Sequence, residues 1–105
     1  MRTSYGVVWC EGHEPLSRGK LELLPRVLRL DGLTGVDHDV REIAYEDLAE
    51  VRVGRSKAER LKGRPALVLE RRSGSAIRVA AASQSWVVNE LLERLVALGL
   101  AERAS

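Results

Sequence analysis

Within the strand-like runs up to Val79 apolar residues of this chain recur largely at every second position, and from about Gln84 they recur every three or four. A strand sends successive side chains to opposite faces, whereas a helix brings every third or fourth to one face. The switch therefore prescribes a series of half-buried strands followed by one amphipathic helix. Seven strands are expected: Tyr5 to Cys10, Gly19 to Leu24, Val27 to Leu30, Val40 to Tyr45, Leu48 to Val53, Ala66 to Arg71 and Ser75 to Ala80. Leu24-Pro25-Arg26 makes a tight corner, because proline fixes φ and donates nothing to a ladder. Asp31-Gly32 and Gly35 mark a loop reaching about Asp39, and Glu46-Asp47 turns the chain between the fourth and fifth strands, read as a pair. Gly74 is expected to supply a positive φ between the last two strands.

The helix is expected from about Gln84 to Leu98, capped by Ser83 or Ser85 and stopped by Gly99. Its stripe is Val88, Leu91, Leu92, Leu95 and Leu98, with Glu90 and Arg94 as an i,i+4 pair. At 105 residues the chain has room for one core, so residues 1–105 are read as a single domain, mainly β with a helical cap. That core is aliphatic: the chain has no Phe, and its four aromatics are Tyr5, Trp9, Tyr45 and Trp86. No apolar run is long enough for a helical membrane span, nothing resembles a signal-peptide core, and one cysteine forms no internal disulfide. A cytoplasmic setting is expected from this.

Charge is unevenly distributed. Residues 31–50 carry seven acids against Arg41 alone, net −6, and residues 52–78 carry nine bases against Glu59 and Glu70, net +7. Such a dipole can steer an acidic partner to one end or let identical chains meet head to tail.

The order of elements resembles the pleckstrin-homology-like superfold, and in particular the small bacterial PH-like and GRAM-like domains. The resemblance is carried by Ile43-Ala44-Tyr45-Glu46-Asp47-Leu48-Ala49-Glu50-Val51, where one strand hands over to the next, and by the strands around Leu21-Glu22-Leu23 and Val27-Leu28-Arg29-Leu30. It implies a partly open barrel of about seven antiparallel strands, one end closed by the helix, serving as a binding module rather than an enzyme. Some members take phosphoinositides on basic residues between the first two strands. Here that loop, Glu11 to Arg18, has two acids and one arginine and departs from the lipid-binding pattern.

Local chemistry adds few candidates. Cys10 and His13, with Asp37-His38-Asp39, have a fragment of metal-site spacing, but one Cys and two His are a poor supply for zinc. They read as a buried strand thiol and loop histidines, with no metal or cofactor expected. Glu11 beside Cys10 works against a thiolate nucleophile, and no phosphate loop, nucleophile elbow or zinc-protease helix is present. The strongest local signal is Arg52 to Arg64, where Arg52, Arg55, Lys57, Arg60, Lys62 and Arg64 face Glu59 alone. It reads either as a solvated loop or as a mobile basic loop for phosphate groups, an anionic lipid headgroup included. Nucleic acid is disfavoured, since no aromatic lies between Glu46 and Ser85 to stack on a base. Trp86 falls off the helical stripe, and is either an interface anchor or folded back over Ala80-Ala81-Ala82 or the barrel rim. The leading expectation is a module that meets a protein partner or itself, with the basic loop as the alternative.

Overall fold

The computed structural model describes residues 3–84 and 86–98. Its strands are β1 (Ser4–Glu11), β2 (Ser17–Leu23), β3 (Val27–Thr34), β4 (Asp37–Ala44), β5 (Leu48–Gly54), β6 (Ala66–Arg71) and β7 (Ile77–Ala81), followed by the helix α1 (Val87–Ala97). All neighbours are antiparallel, in the order β4-β3-β2-β1-β7-β6-β5, so one sheet curls into a half-barrel. The expected pairing of the fourth and fifth strands does not occur: β4 and β5 form opposite edges. Between them a short 3-10 turn, Tyr45–Asp47, carries the chain from one edge to the other. Tyr45 donates its hydroxyl to the Leu24 carbonyl at 2.6 Å, and Asp47 accepts from the backbone N–H and hydroxyl of Ser73 at 3.1 and 2.6 Å. The crossing is thereby pinned to a hairpin turn in each half of the sheet.

The inner face holds the core. Val7, Trp9, Leu21, Leu28, Leu30, Leu67, Leu69, Ile77 and Val79 are buried there, and α1 covers them with Val87, Val88, Leu91 and Leu95. Leu92 is partly buried, but Leu98 is 54% exposed because it stands at the C-cap, beyond the last helical residue. Val87, which the stripe left out, is buried at the opposite end of the helix. The N-cap is Trp86, which makes no side-chain capping hydrogen bond, so Ser83 does not cap the helix; Ser85 and Gly99 lie outside the described residues.

Two glycine readings need correction. The loop expected over residues 31–39 is a hairpin: β3 and β4 stay in register from Val27 opposite Ala44 to Thr34 opposite Asp37. Only Gly35 and Val36 lie in the turn, and Gly35, at φ 61°, supplies the left-handed residue. Gly32 sits inside the ladder, opposite Gly19. Gly74 does not adopt a positive φ; a Cβ there would lie 2.7 Å from Nη2 of Arg71, so it provides space instead.

That guanidinium belongs to a clamp at the mouth of the half-barrel. Glu11, ending β1, accepts from Arg41 Nε on β4 and from Arg71 Nη2 on β6, each at 2.9 Å. The hydrogen bond from Arg41, aided by the charge of Arg71, holds the Glu11 carboxyl below its ordinary range against the opposing effect of burial. A depressed folded pKa gives stability that is complete above the unfolded value, about 4.3, and fades as pH falls through the folded one. Glu11→Gln is therefore expected to cost about 1–2 kcal/mol at neutral pH. Urea denaturation of both proteins at pH 7 and pH 3 should show this difference shrinking in acid.

Candidate functional site

The basic segment packs against the sheet. Leu61, a lone apolar residue in a polar stretch, is 4% exposed and packs with Val8, Cys10, Ala66 and Ala80 on the outer face of the sheet. Ser56 starts a helical turn: its carbonyl accepts from Glu59 N and Arg60 N, and its hydroxyl donates to Glu59 Oε1 at 2.9 Å. Arg52, on the outer face of β5, pairs with the same carboxylate. Arg78 reaches from β7 to the Ala58 carbonyl at 2.9 Å. Leu61 and Arg64 then exchange backbone hydrogen bonds at 3.0 and 2.9 Å around Lys62-Gly63. Both turn residues have positive φ, 51° and 76°, as a tight two-residue turn between antiparallel segments requires.

This packing divides the six bases. Arg52 is paired with Glu59, Arg60 donates to the carbonyls of Arg55 and Gly63, and Arg64 donates to those of Ala81 and Ser83 at 3.0 and 2.7 Å. Arg55, Lys57 and Lys62 have no partner among the described residues. Arg55, Lys57, Arg60 and Gly63 line one open recess. A second recess, of about 390 Å³, lies between the Lys62-Gly63 turn and the start of β2. Its cations are Arg18, Lys62 and Arg64, its apolar surface comes from Val7, Val8, Ala81 and Ala82, and no acid lines it. Arg18 carried no weight in the sequence beyond being the one base of an acidic loop. The fold brings it to bases more than forty positions later in the chain.

The mouth of the half-barrel has the opposite character. A recess of about 440 Å³ there has Trp9 in its lining, with Glu11, Glu14, Asp37 and Asp39 around it and Arg41 as its one arginine. Arg41 also lies over the Trp9 ring, 5.7 Å from its centroid, and its charge is met by Glu11. The loop in which the family resemblance looks for a headgroup site thus opens onto acids.

Trp86 is 52% exposed, so it does not fold back into the core. It donates its indole N–H to the Gln84 side chain and follows four residues after Ala82, which lines the cationic recess. Cys10 is buried, with Arg78 Nη2 3.3 Å from its sulfur, while His13 and His38 are exposed. No group of three or more His, Cys, Asp or Glu side chains among the described residues is placed to hold a metal ion. No helix among them is long and apolar enough to cross a membrane.

No family model matches the chain, and no curated protein does. Among solved structures it is similar to the crystal structure of the C-terminal domain of an unknown protein from Leishmania infantum. The TM-score is 0.58 at 20% identity, over 87% of this chain and 78% of that one. The likeness is one of fold. At this identity it carries no activity from one to the other.

Proposed function

We propose that this chain is a non-enzymatic binding module on a PH-like scaffold that takes an acidic protein segment in the recess between β2 and the Lys62-Gly63 turn. The observation that carries the reading is the convergence of Arg18, Lys62 and Arg64 over Val7, Val8, Ala81 and Ala82, with no acid in the lining. Cations alone would suit any anion. The apolar floor favours a segment with an aliphatic side chain among its carboxylates, since burying that side chain contributes about 1.5–3 kcal/mol. Trp86, four residues beyond Ala82, is an exposed aromatic that can extend the contact. A reduced thiol at Cys10 fits a cytoplasmic setting for such a module.

The test uses a fluorescein-labelled peptide with one valine among aspartates, alongside vesicles containing phosphatidylserine. Saturable peptide binding that weakens with rising salt is expected, together with a loss of roughly tenfold or more in Lys62→Ala and in Trp86→Ala. Both variants should keep the wild-type melting temperature within a few degrees, because both side chains are exposed. Vesicle binding without peptide binding would replace this reading by the anionic-lipid one, and binding to neither would end both.

A further inference from the structure

We infer that the acidic segment is the β3–β4 hairpin of a second copy of this chain, so that copies join head to tail. The inference rests on the recess being a binding site, and it names the occupant.

The hairpin tip is built as the complement of the recess. Val36 is 96% exposed at the end of a two-residue turn, an unusual place for a branched apolar side chain. Thr34, held to the Ser17 hydroxyl at 2.6 Å, and Asp37 close the turn, and a Cβ on Gly35 would meet nothing within 4 Å, so the two turn residues stand clear of the rest of the fold. Residues 31–40 contain Asp31, Asp37 and Asp39 and no lysine or arginine. An aliphatic side chain beside an acid thus faces solvent at the hairpin tip, while a separate surface, reached from the hairpin through Arg18 opposite Leu33, has an apolar floor rimmed by cations and free of acids. Leu33 and Val40, 53% and 38% exposed, continue the apolar surface along the hairpin behind Val36.

The hairpin cannot fill the recess of its own chain. β3 is fixed to β2 with Arg18 opposite Leu33, and β4 is fixed to β3 as far as Thr34 and Asp37, so the tip points onward from the sheet. The contact must be between molecules. Because hairpin and recess are different surfaces, it is heterologous and leaves each terminal copy with one half unused; such contacts close into rings or grow into open chains. A hairpin tip buries less than the roughly 1,200–2,000 Å² of a standard stable interface, so assembly is weak and concentration-dependent.

Sedimentation velocity over a concentration series tests this. The wild type is expected to grow beyond a dimer as concentration rises and to return to monomer in high salt. A hairpin variant, Val36→Ser with Asp37→Asn, and a recess variant, Arg18→Ala with Lys62→Ala, should each remain monomeric with unchanged melting curves. Mixed together they should form a one-to-one heterodimer and stop there, because the first retains a working recess and the second a working hairpin. A wild type that is monomeric at millimolar concentration, either variant assembling like the wild type, or a mixture that stays monomeric would overturn the inference. The acidic-peptide measurement separates the two readings: peptide binding by a strictly monomeric protein leaves the recess as a site and removes only the second copy as its occupant.

Discussion

Replacing Gly19 by alanine will break the β2–β3 hairpin and cost at least about 3 kcal/mol, the upper end of what overpacking usually does. A Cβ at position 19 would lie 2.0 Å from the Asp31 carbonyl oxygen and 2.5 Å from the Gly32 Cα. Both atoms are backbone, so no rotamer change makes room and the strands themselves must part. Trp9 then loses its anchor, because its indole N–H, on β1, donates to that same Asp31 carbonyl on β3 at 3.0 Å. The intervening strand β2 passes between them with Gly19 opposite Val7 and Gly32. Gly6→Ala is the control: its nearest new contact would be the Ala82 Cβ at 3.9 Å, and Gly6 has no positive φ. Denaturant midpoints should show Gly19→Ala strongly destabilised and Gly6→Ala close to wild type; equal effects would place the tight approach elsewhere.

Those same glycines mark where the sequence stops being readable. Period-two alternation reports which residues share a face, and it places β1, β2, β6 and β7 within a few residues. It does not report which strand lies beside which. Val40–Tyr45 and Leu48–Val53 are adjacent in sequence with a polar step between, as a hairpin would be, yet Tyr45 and Asp47 hold that step as a crossing between sheet edges. Glycine is ambiguous for a related reason. It is needed where φ is positive, as at Gly35, and equally where two backbones touch, as at Gly19 and Gly32. Asp31-Gly32 has the letters of a turn and lies inside a ladder. The helical stripe, being local, was readable except at its ends, where capping decides which residue is last.

The candidate site was legible in part. A run of six bases stands out in any sequence, but charge counting cannot say which of them are already occupied. Arg52, Arg60 and Arg64 hold the loop in shape, and their partners, Glu59 and four backbone carbonyls, include Ala81 at the end of β7 and Ser83 beyond it. Arg18 joins the site because antiparallel pairing sets the start of β2 beside the end of β1, whose outer neighbour across the sheet is β7. The exposed Val36 was hidden by the reading of residues 31–39 as a loop. A valine in a loop has no assigned direction, whereas one at a hairpin tip is bound to face outward.

Leu61 tests the link between packing and site, because it holds the whole segment against the sheet without touching the recess itself. Leu61→Ala is expected to cost about 2–3 kcal/mol, the lower part of the range for buried leucines, since its cluster is a small one under a loop. The consequence for binding should exceed that for folding. With Leu61 truncated, nothing apolar fastens residues 55–64 to Val8, Cys10, Ala66 and Ala80, and the tight turn that presents Lys62 is free to lift. All three rim cations remain in the sequence, so a site that depended on charge alone would keep its affinity. If position matters, the acidic peptide should bind at least tenfold more weakly to Leu61→Ala at a temperature where the variant is still folded, while Leu61→Met, similar in volume, should restore most of it. Amide hydrogen exchange would locate the change: faster exchange at the backbone N–H groups of Leu61 and Arg64, with β6 and β7 still protected, is the signature of a released segment on an intact sheet. Unaltered peptide affinity in a variant with that exchange pattern would mean that the bases act as a diffuse field, and that the recess is not what binds.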